Sequence, residues 1–339
     1  MAATTRKKAG RIEDRPASVW KEKELIGGRL VETGVVILIT SGCSHYRERG
    51  GCSMCGYNFG IGERPAQLDI KKQFEAAVEQ LGEIGFLKIY TSGSFLDERE
   101  VSAETREAVA RWAAENGCRL LFETRPEFVE RRTLEPLAAV HDDIEVALGL
   151  ESSNDRVLRH SINKGFTRAD YERAAQTVRS LELAVRTYVL LKPPFLTEAE
   201  AVSDAVSTIA YASQLSDTIS LNPVNVQKGT LVERLWRDWS YRPPWLWSVL
   251  EVLSAGAKHA KKLVCDPTGG GHERGAHNCG RCDASILSSI REYSLSQDIG
   301  RLGRPECDCL ELWKEVMELE GLLVDGTVDL QRFFRRHGA

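Results

Sequence analysis

The sequence predicts an α/β fold: a partial (βα)6 barrel, in which a parallel sheet carries helices on its outside, followed by a C-terminal cysteine-rich metal-binding extension. Three observations predict it. Between residue 35 and about residue 225, six short apolar or β-branched runs alternate with stretches of helical period, as βα units do. Strands buried on both faces read as continuous apolar runs, and VVILIT and YVLLK have that form. Six units fall short of the eight that close a complete barrel, and the pattern changes beyond residue 230.

The expected strands, in order, are Val35–Thr40, Leu87–Thr91, Arg119–Thr124, Ile144–Glu151, Val185–Lys192 and Thr218–Asn222. Amphipathic helices are expected between them, among them Leu68–Leu81, Thr105–Asn116, Arg168–Leu181 and Glu198–Leu215. Two starts carry cap signals: Thr167 with Asp170 three residues on, and Thr197 with Glu200 at capping-box spacing. Three regions follow: a basic N-terminal leader over 1–30, the barrel over 31–230, and an extension over 231–339. The extension holds the Trp-rich segment Leu235–Trp247, a helix, and then the cysteines. A ligand of a parallel α/β sheet sits beyond the carboxyl ends of the strands, so the candidate site lies in the segments that follow them.

With 45 Lys and Arg against 49 Asp and Glu, a net charge of -4 and 42% hydrophobic residues, the 339-residue chain has a soluble globular composition, which excludes disordered and collagen-like classes. The longest apolar run near the front, Val35–Ile39, is far short of the ~20 residues of a membrane span. The N-terminus lacks the apolar core of a secretory signal, so a cytoplasmic protein is expected. The weakly acidic total conceals a leader with eight Lys and Arg against four acids. Further basic points are Lys258, Lys261 and Lys262, and Arg332, Arg335 and Arg336 beside Phe333 and Phe334. Such groups bind nucleic acid by phosphate contact and stacking; the plainer reading is solvated surface.

Nine cysteines are the unusual feature. Their odd count, clustering and C-x-x-C pairs argue for metal or cluster ligation rather than disulfides. Cys43, Cys52 and Cys55 lie on the loop after the first expected strand. Three thiolates suit a four-iron cluster with one iron left open, or a zinc site with His45 as a fourth ligand. Cys265, Cys279, Cys282, Cys307 and Cys309 supply one donor more than a closed tetrahedral site needs, with His272 and His277 inside the first gap. Structural zinc is the first reading, on Cys265, Cys279, Cys282 and Cys307, with Cys309 as the alternative ligand; a second iron-sulfur cluster or free thiols remain open. Cys118 reads as a small buried hydrophobe.

Taken in order, the segments at the strand ends resemble the radical S-adenosylmethionine superfamily, and the eight-residue gap between Cys43 and Cys52 resembles its Elongator-like branch. The resemblance implies a [4Fe–4S] cluster on Cys43, Cys52 and Cys55, and S-adenosylmethionine bound at the strand ends. The implied cofactor residues are Ser92, Gly93 and Ser94 in the turn TSGS, and Glu123 and Arg125 in ETRP. They continue with Glu151 in GLES, Arg159 and Lys164 in RVLRHSINKGFT, and Lys192 in LKPP. Met54 stands where an aromatic residue is common, and Tyr57 follows.

The stretches ITSGCSHYRERGGCSMCGY, YTSGSFLD, NPVNVQKGTLVERLW, YRPPWLWS and GAHNCGRCD narrow this, resembling the archaeosine-forming radical enzyme family, RaSEA, over nearly the whole chain. That resemblance implies a tRNA substrate carrying a lysine-adducted 7-deazaguanine in its D-loop, an ArcS-type lysine transferase as partner, and an electron donor whose identity the sequence does not give. The implied reaction is radical scission of the lysine C–N bond. Alternatives are another Elongator-like RNA-modifying enzyme or a non-catalytic zinc or iron-sulfur RNA-binding subunit. Against an Elongator-type enzyme, 339 residues leave no room for an acetyltransferase domain, and against a methylthiotransferase, no cysteine precedes Cys43.

Overall fold

A computed structural model describes residues 14–57 and 66–324. Arg6, Lys7, Lys8 and Arg11 of the basic leader, and Arg332, Phe333, Phe334, Arg335 and Arg336, lie outside the described residues. The strands are β1 (Ser18–Ile26), β2 (Arg29–Ile37), β3 (Phe86–Tyr90), β4 (Arg119–Thr124), β5 (Ile144–Glu151), β6 (Ala184–Leu191), β7 (Thr218–Pro223) and β8 (Leu263–Cys265). They form one sheet in chain order. β1 is antiparallel to β2, whereas β2, β3, β4 and β5 run parallel in succession, as do β7 and β8.

The helices are α1 (Ser44–Arg49), α2 (Gln67–Leu81), α3 (Ala103–Glu115), α4 (Arg131–Val140), α5 (Arg168–Arg179), α6 (Glu198–Ala212), α7 (Leu231–Arg237), α8 (Leu246–Gly256), α9 (Asp283–Ser296) and α10 (Cys309–Val324). All six expected strands occur, the later ones within one residue of their expected ends and the first as Arg29–Ile37 rather than Val35–Thr40, and the named helices occur within three residues of theirs. β1 and β8 are additions. Residues 18–26, read as part of a leader, are a strand of the sheet, and the extension contributes β8.

Two compact units divide the described residues. The first contains residues up to Gly51, Tyr57–Gly149 and Ala169–Arg186; the second contains Cys52–Gly56, Leu150–Arg168 and the chain from Thr187 onward. In the first unit, Val35, Val36, Phe86, Leu87, Ile89, Leu120, Leu121, Phe122, Val146 and Leu148 are buried on consecutive strands, which is why these strands read as apolar runs. Phe95 stacks on Phe122 with ring centres 4.7 Å apart.

That unit also buries a balanced set of charges. Lys88 pairs with Glu22 at 2.7 Å and with Glu24. Arg186 bonds Glu24 and, at 3.2 Å, Glu145, which Arg119 approaches at 3.5 Å. Burial alone would raise the Glu145 carboxyl, but Arg186 and Arg119 outweigh it and hold the group below the ordinary range.

In the second unit, α6 begins at the expected capping box. The Thr197 hydroxyl accepts the Glu200 amide at 3.2 Å and the Glu200 carboxylate accepts the Thr197 amide at 2.9 Å. α8 is apolar nearly all round and is buried accordingly, with Leu246, Trp247, Val249, Leu250, Val252 and Leu253 inside.

Candidate functional site

The first unit supplies Cys43 and the turn after β3. The Ile39 amide donates to the Gln73 side chain at 2.8 Å, so α2 fixes the exit of the chain from β2. Cys43 then stands in extended conformation ahead of α1, its carbonyl accepting from the Arg47 amide at 3.2 Å. The Arg47 guanidinium folds back onto the carbonyls of Ser41, at 2.7 Å, and Gly42. Gly93, between Ser92 and Ser94, lies against this loop. A Cβ on Gly93 would lie 2.7 Å from the Cys43 Cα and 2.2 Å from Glu100 Oε1, so only glycine permits this approach. Ser94 ties the turn to the next strand end: its hydroxyl accepts the Arg125 amide at 3.0 Å, and the Phe95 amide donates to the Glu123 carbonyl at 3.0 Å. Arg125 is buried and its guanidinium donates to Glu127 at 2.6 Å.

Glu100 was not among the expected site residues. Fully buried, it accepts from the Ser94 amide at 2.9 Å and the Thr40 hydroxyl at 2.8 Å, joining the loop before Cys43 to the turn after β3. No spacing in the sequence marks it. Burial pushes its carboxyl up to about 7, against the two hydrogen bonds. An acid raised in the folded state favours folding when neutral, so stability falls as pH rises from about 4.5 to about 7. Glu100→Gln is expected to remove that fall, on the order of 3 kcal/mol at pH 8, in urea melts of the metal-free protein at pH 5 and pH 8. An unchanged pH dependence would refute it.

The second unit supplies Cys52 and Cys55. Cys52 and Met54 pack against Val157, Leu158, Ile162, Leu190, Val224, Val226, Val232 and Tyr241, so Met54 serves as packing. The segment is held by its backbone: the Ser53 amide donates to the Ile162 carbonyl at 2.8 Å, and the Ser53 carbonyl accepts the Val232 amide at 3.2 Å. The Gly56 amide donates to the Gln227 side chain at 2.6 Å.

Glu151 and Lys164 come together. Glu151, at the end of β5, adopts φ +70 and accepts from the Lys164 ammonium at 2.8 Å, both groups buried. The next residues pin this left-handed bend: the Ser152 hydroxyl donates to Asp204 at 2.8 Å and the Ser153 amide to the Thr208 hydroxyl at 2.8 Å. Burial pushes Asp204 up to about 6. A π-turn over Val157–Ile162 precedes Lys164, and Arg159 within it is exposed. Local π geometry and left-handed non-glycine residues are both concentrated at functional sites.

Lys192 also adopts a left-handed conformation, φ +63. Its ammonium is buried 2.5 Å from Glu198, and the Tyr241 hydroxyl donates to its carbonyl at 2.7 Å. Glu198, legible in the sequence only as the first residue of a capped helix, also accepts from the Trp245 amide at 2.8 Å and the Ser248 hydroxyl at 2.6 Å.

Four thiols of the extension converge. The ligand atoms of Cys279, Cys282, Cys307 and Cys309 lie within 4.8 Å of one another, with Sγ separations of 3.5 Å (Cys279–Cys307), 3.6 Å (Cys282–Cys309) and 3.4 Å (Cys307–Cys309). Tetrahedral bonds of about 2.3 Å put thiolate sulfurs roughly 3.8 Å apart, so the donor set fits one ion. Two N–H groups address the sulfurs: Trp247 Nε1 to Cys309 and Asn278 Nδ2 to Cys282, both at 3.3 Å. Such contacts orient ligands and tune their basicity. The four therefore include Cys309 and not Cys265. Cys265 is buried in β8, its amide and carbonyl both bonded to the Ser294 hydroxyl, and burial drives its thiol far up. His277 Nδ1 is engaged with the Gly275 carbonyl at 2.8 Å, and neither His277 nor His272 joins the group. Cys118 is buried, as expected.

Cys43, Cys52 and Cys55, none of them in a disulfide, follow the first parallel strand in the chain, and thiolates are soft donors of the kind iron-sulfur clusters use; beside Cys43 the backbone is kept open by Gly93. The Radical SAM superfamily matches residues 37–205. That match and the relatives that follow define a radical SAM enzyme, and this class implies a [4Fe–4S] cluster and S-adenosylmethionine. Over 316 residues the chain is 42% identical to archaeosine synthase subunit beta of Methanosarcina acetivorans, covering 91% of each chain. Over 315 residues it is 38% identical to archaeosine synthase subunit beta of Thermococcus kodakarensis, covering 90% of this chain and 97% of that one. The chain belongs to the archaeosine synthase subunit beta family. Among solved structures, archaeal Methanocaldococcus infernus Elp3 matches with a TM-score of 0.49 and 16% identity, over 78% of this chain and 63% of that one.

Proposed function

We propose that this protein is a radical SAM tRNA-modifying enzyme that converts a lysine-adducted 7-deazaguanine to archaeosine by C–N bond cleavage. The observation that carries this reading is 42% identity to an archaeosine synthase subunit beta along 91% of both chains. Cys43, Cys52 and Cys55 would hold the [4Fe–4S] cluster. Once bound, the cluster supplies the electron that cleaves S-adenosylmethionine and so begins the radical chemistry. The protein's own groups bind and orient. Ser92, Gly93 and Ser94 offer backbone groups to the methionine moiety, and Glu123 and Arg125 close the next strand end. The paired Glu151 and Lys164 present a carboxylate and an ammonium to the polar parts of the cofactor. Lys192, neutralised by Glu198, shapes the wall rather than offering a free charge. Arg159, exposed on the π-turn, is proposed to serve the RNA side rather than the cofactor.

The ion of the extension is proposed to be zinc, held by Cys279, Cys282, Cys307 and Cys309. Burial raises Cys279, but the Arg281 amide and the Cys307 and Cys309 thiols outweigh it and pull Cys279 down to about 6, favouring a thiolate. The partners proposed are tRNA, an ArcS-type lysine transferase and an electron donor. Among the described residues no helix is long and apolar enough to cross a membrane, and the proposed work on tRNA is cytoplasmic.

The test is incubation of the reduced, cluster-loaded protein with lysine-adducted tRNA and S-adenosylmethionine, followed by nucleoside mass spectrometry. Archaeosine together with 5′-deoxyadenosine is expected; an intact cluster yielding no 5′-deoxyadenosine would overturn the enzyme reading. Glu151→Ala is expected to weaken S-adenosylmethionine binding at least about tenfold, as loss of a charged hydrogen bond does, while Arg159→Ala stays within about twofold. Equilibrium dialysis of cluster-loaded proteins with matched melting curves measures both, and equal effects would refute the division.

A further inference from the structure

α7 connects the cysteine segment to an exposed tryptophan. Thr230 caps the helix, its hydroxyl accepting the Glu233 amide at 3.0 Å. The first turn is tied to the cysteines by the Val232 amide on the Ser53 carbonyl, and Gly56 is tied to Gln227 just ahead of the cap. The helix ends with the Asp238 amide on the Arg234 carbonyl and the Ser240 amide on the Leu235 carbonyl at 2.8 Å. Trp239, between them, adopts φ +59 and is 95% exposed. A left-handed position at a helix end ordinarily belongs to glycine or asparagine, and a large apolar ring ordinarily belongs inside. Neither packing nor turn geometry accounts for this indole.

Its neighbours indicate what it meets. Arg234 and Arg237 are exposed at the same end of α7, and Arg274 lies over the Trp236 ring at 4.6 Å. Arg237 and Arg274 share the Glu233 carboxylate at 3.0 and 2.9 Å, so that acid is already matched. A protein-docking tryptophan sits in an apolar patch depleted of charge. Here the exposed surroundings are arginine, aspartate and serine, the mixture that stacks bases and contacts phosphates. Seven helical residues rise about 10 Å, so α7 carries the chain about that far between its first turn, bonded to Ser53, and its last, next to Trp239.

We infer that Trp239 is a stacking platform for a nucleobase of the RNA near the reacting nucleotide, with Arg234 and Arg237 on the adjoining phosphates. The inference rests on the tRNA-modifying reading and names a part of the surface that reading requires.

The test uses the full-length, cluster-loaded protein and fluorescently labelled lysine-adducted tRNA, with anisotropy titrations at several salt concentrations. Trp239→Ala is expected to weaken binding about tenfold, whereas Trp239→Phe, which keeps a π face, retains most of the affinity. Arg234→Gln is expected to reduce the slope of log affinity against log salt by about 1. Trp239→Gly, which relieves the left-handed position, is expected to melt no lower than the parent protein, so a binding loss in it is not unfolding. Unchanged tRNA affinity in Trp239→Ala overturns the platform, and it does so equally if that variant instead loses its grip on the transferase. If the parent protein itself binds no tRNA, the tRNA reading falls and the platform with it.

Discussion

A Cys309→Ala protein is expected to emerge from purification without the metal ion of the extension, whereas Cys265→Ala keeps it. Cys309 lies 3.6 Å from Cys282 and 3.4 Å from Cys307, and Trp247 Nε1 donates to its sulfur. Cys265 is buried in β8 and bonded to Ser294 instead. Apparent binding energies for structural zinc on such ligands are about 10–16 kcal/mol at pH 7, so losing one thiolate of four forfeits a large part of that. Cys309 also opens α10, where Trp313 Nε1 donates to the Ser248 hydroxyl at 2.8 Å. Release of the ion therefore loosens α10 as well. A loss of about 5 kcal/mol would lower the melting temperature by roughly 10 °C or more. Elemental analysis should find close to one ion per chain in the parent and in Cys265→Ala, and almost none in Cys309→Ala. An ion retained in Cys309→Ala but lost in Cys265→Ala would refute the assignment.

Arg186→Met is expected to cost about 3–5 kcal/mol, the penalty for removing one member of a buried, hydrogen-bonded ion set. The guanidinium stands between Glu24 and Glu145; without it two buried carboxylates face each other beside Lys88 and Arg119. Urea unfolding at pH 7 measures the loss, and a change below about 1 kcal/mol would contradict it. The acid limb gives a second signature. Glu145 is held below its ordinary range, so its contribution is present above about pH 4.5 and is lost as pH falls through the lowered value. Without Arg186 that depression relaxes, and the variant's deficit should narrow in acid.

The strands that were legible in the sequence, β2 to β7, bury apolar residues on both faces, which leaves uninterrupted runs to read. β1 was not legible because its period-2 alternation is written in charge. SVWKEKELI turns Glu22 and Glu24 toward Lys88 and Arg186, and pattern reading counts such positions as surface. The cysteine tail was legible as a metal site but not in its membership: Cys265 has the right chemistry and sequence neighbourhood, yet strand pairing with β7 commits it elsewhere. The π-turn over residues 157–162 has no signature in the sequence; Arg159 is exposed within it, and Lys164 just beyond it reaches Glu151. Glu100 and Glu198 had no local signature, since their partners lie in other segments: Thr40 for Glu100, and Lys192, Trp245 and Ser248 for Glu198.

The two ends of the strand order bear on how this chain behaves in a crowded solution. β1 carries Lys21, Glu22, Lys23 and Glu24 in succession, and β8 is only three residues long and is followed by Asp266 and Pro267. A charged strand and a short strand stopped by proline are both poor templates for intermolecular pairing. The sheet thus ends in two borders that discourage edge-to-edge aggregation, leaving specific encounters to side chains elsewhere on the surface.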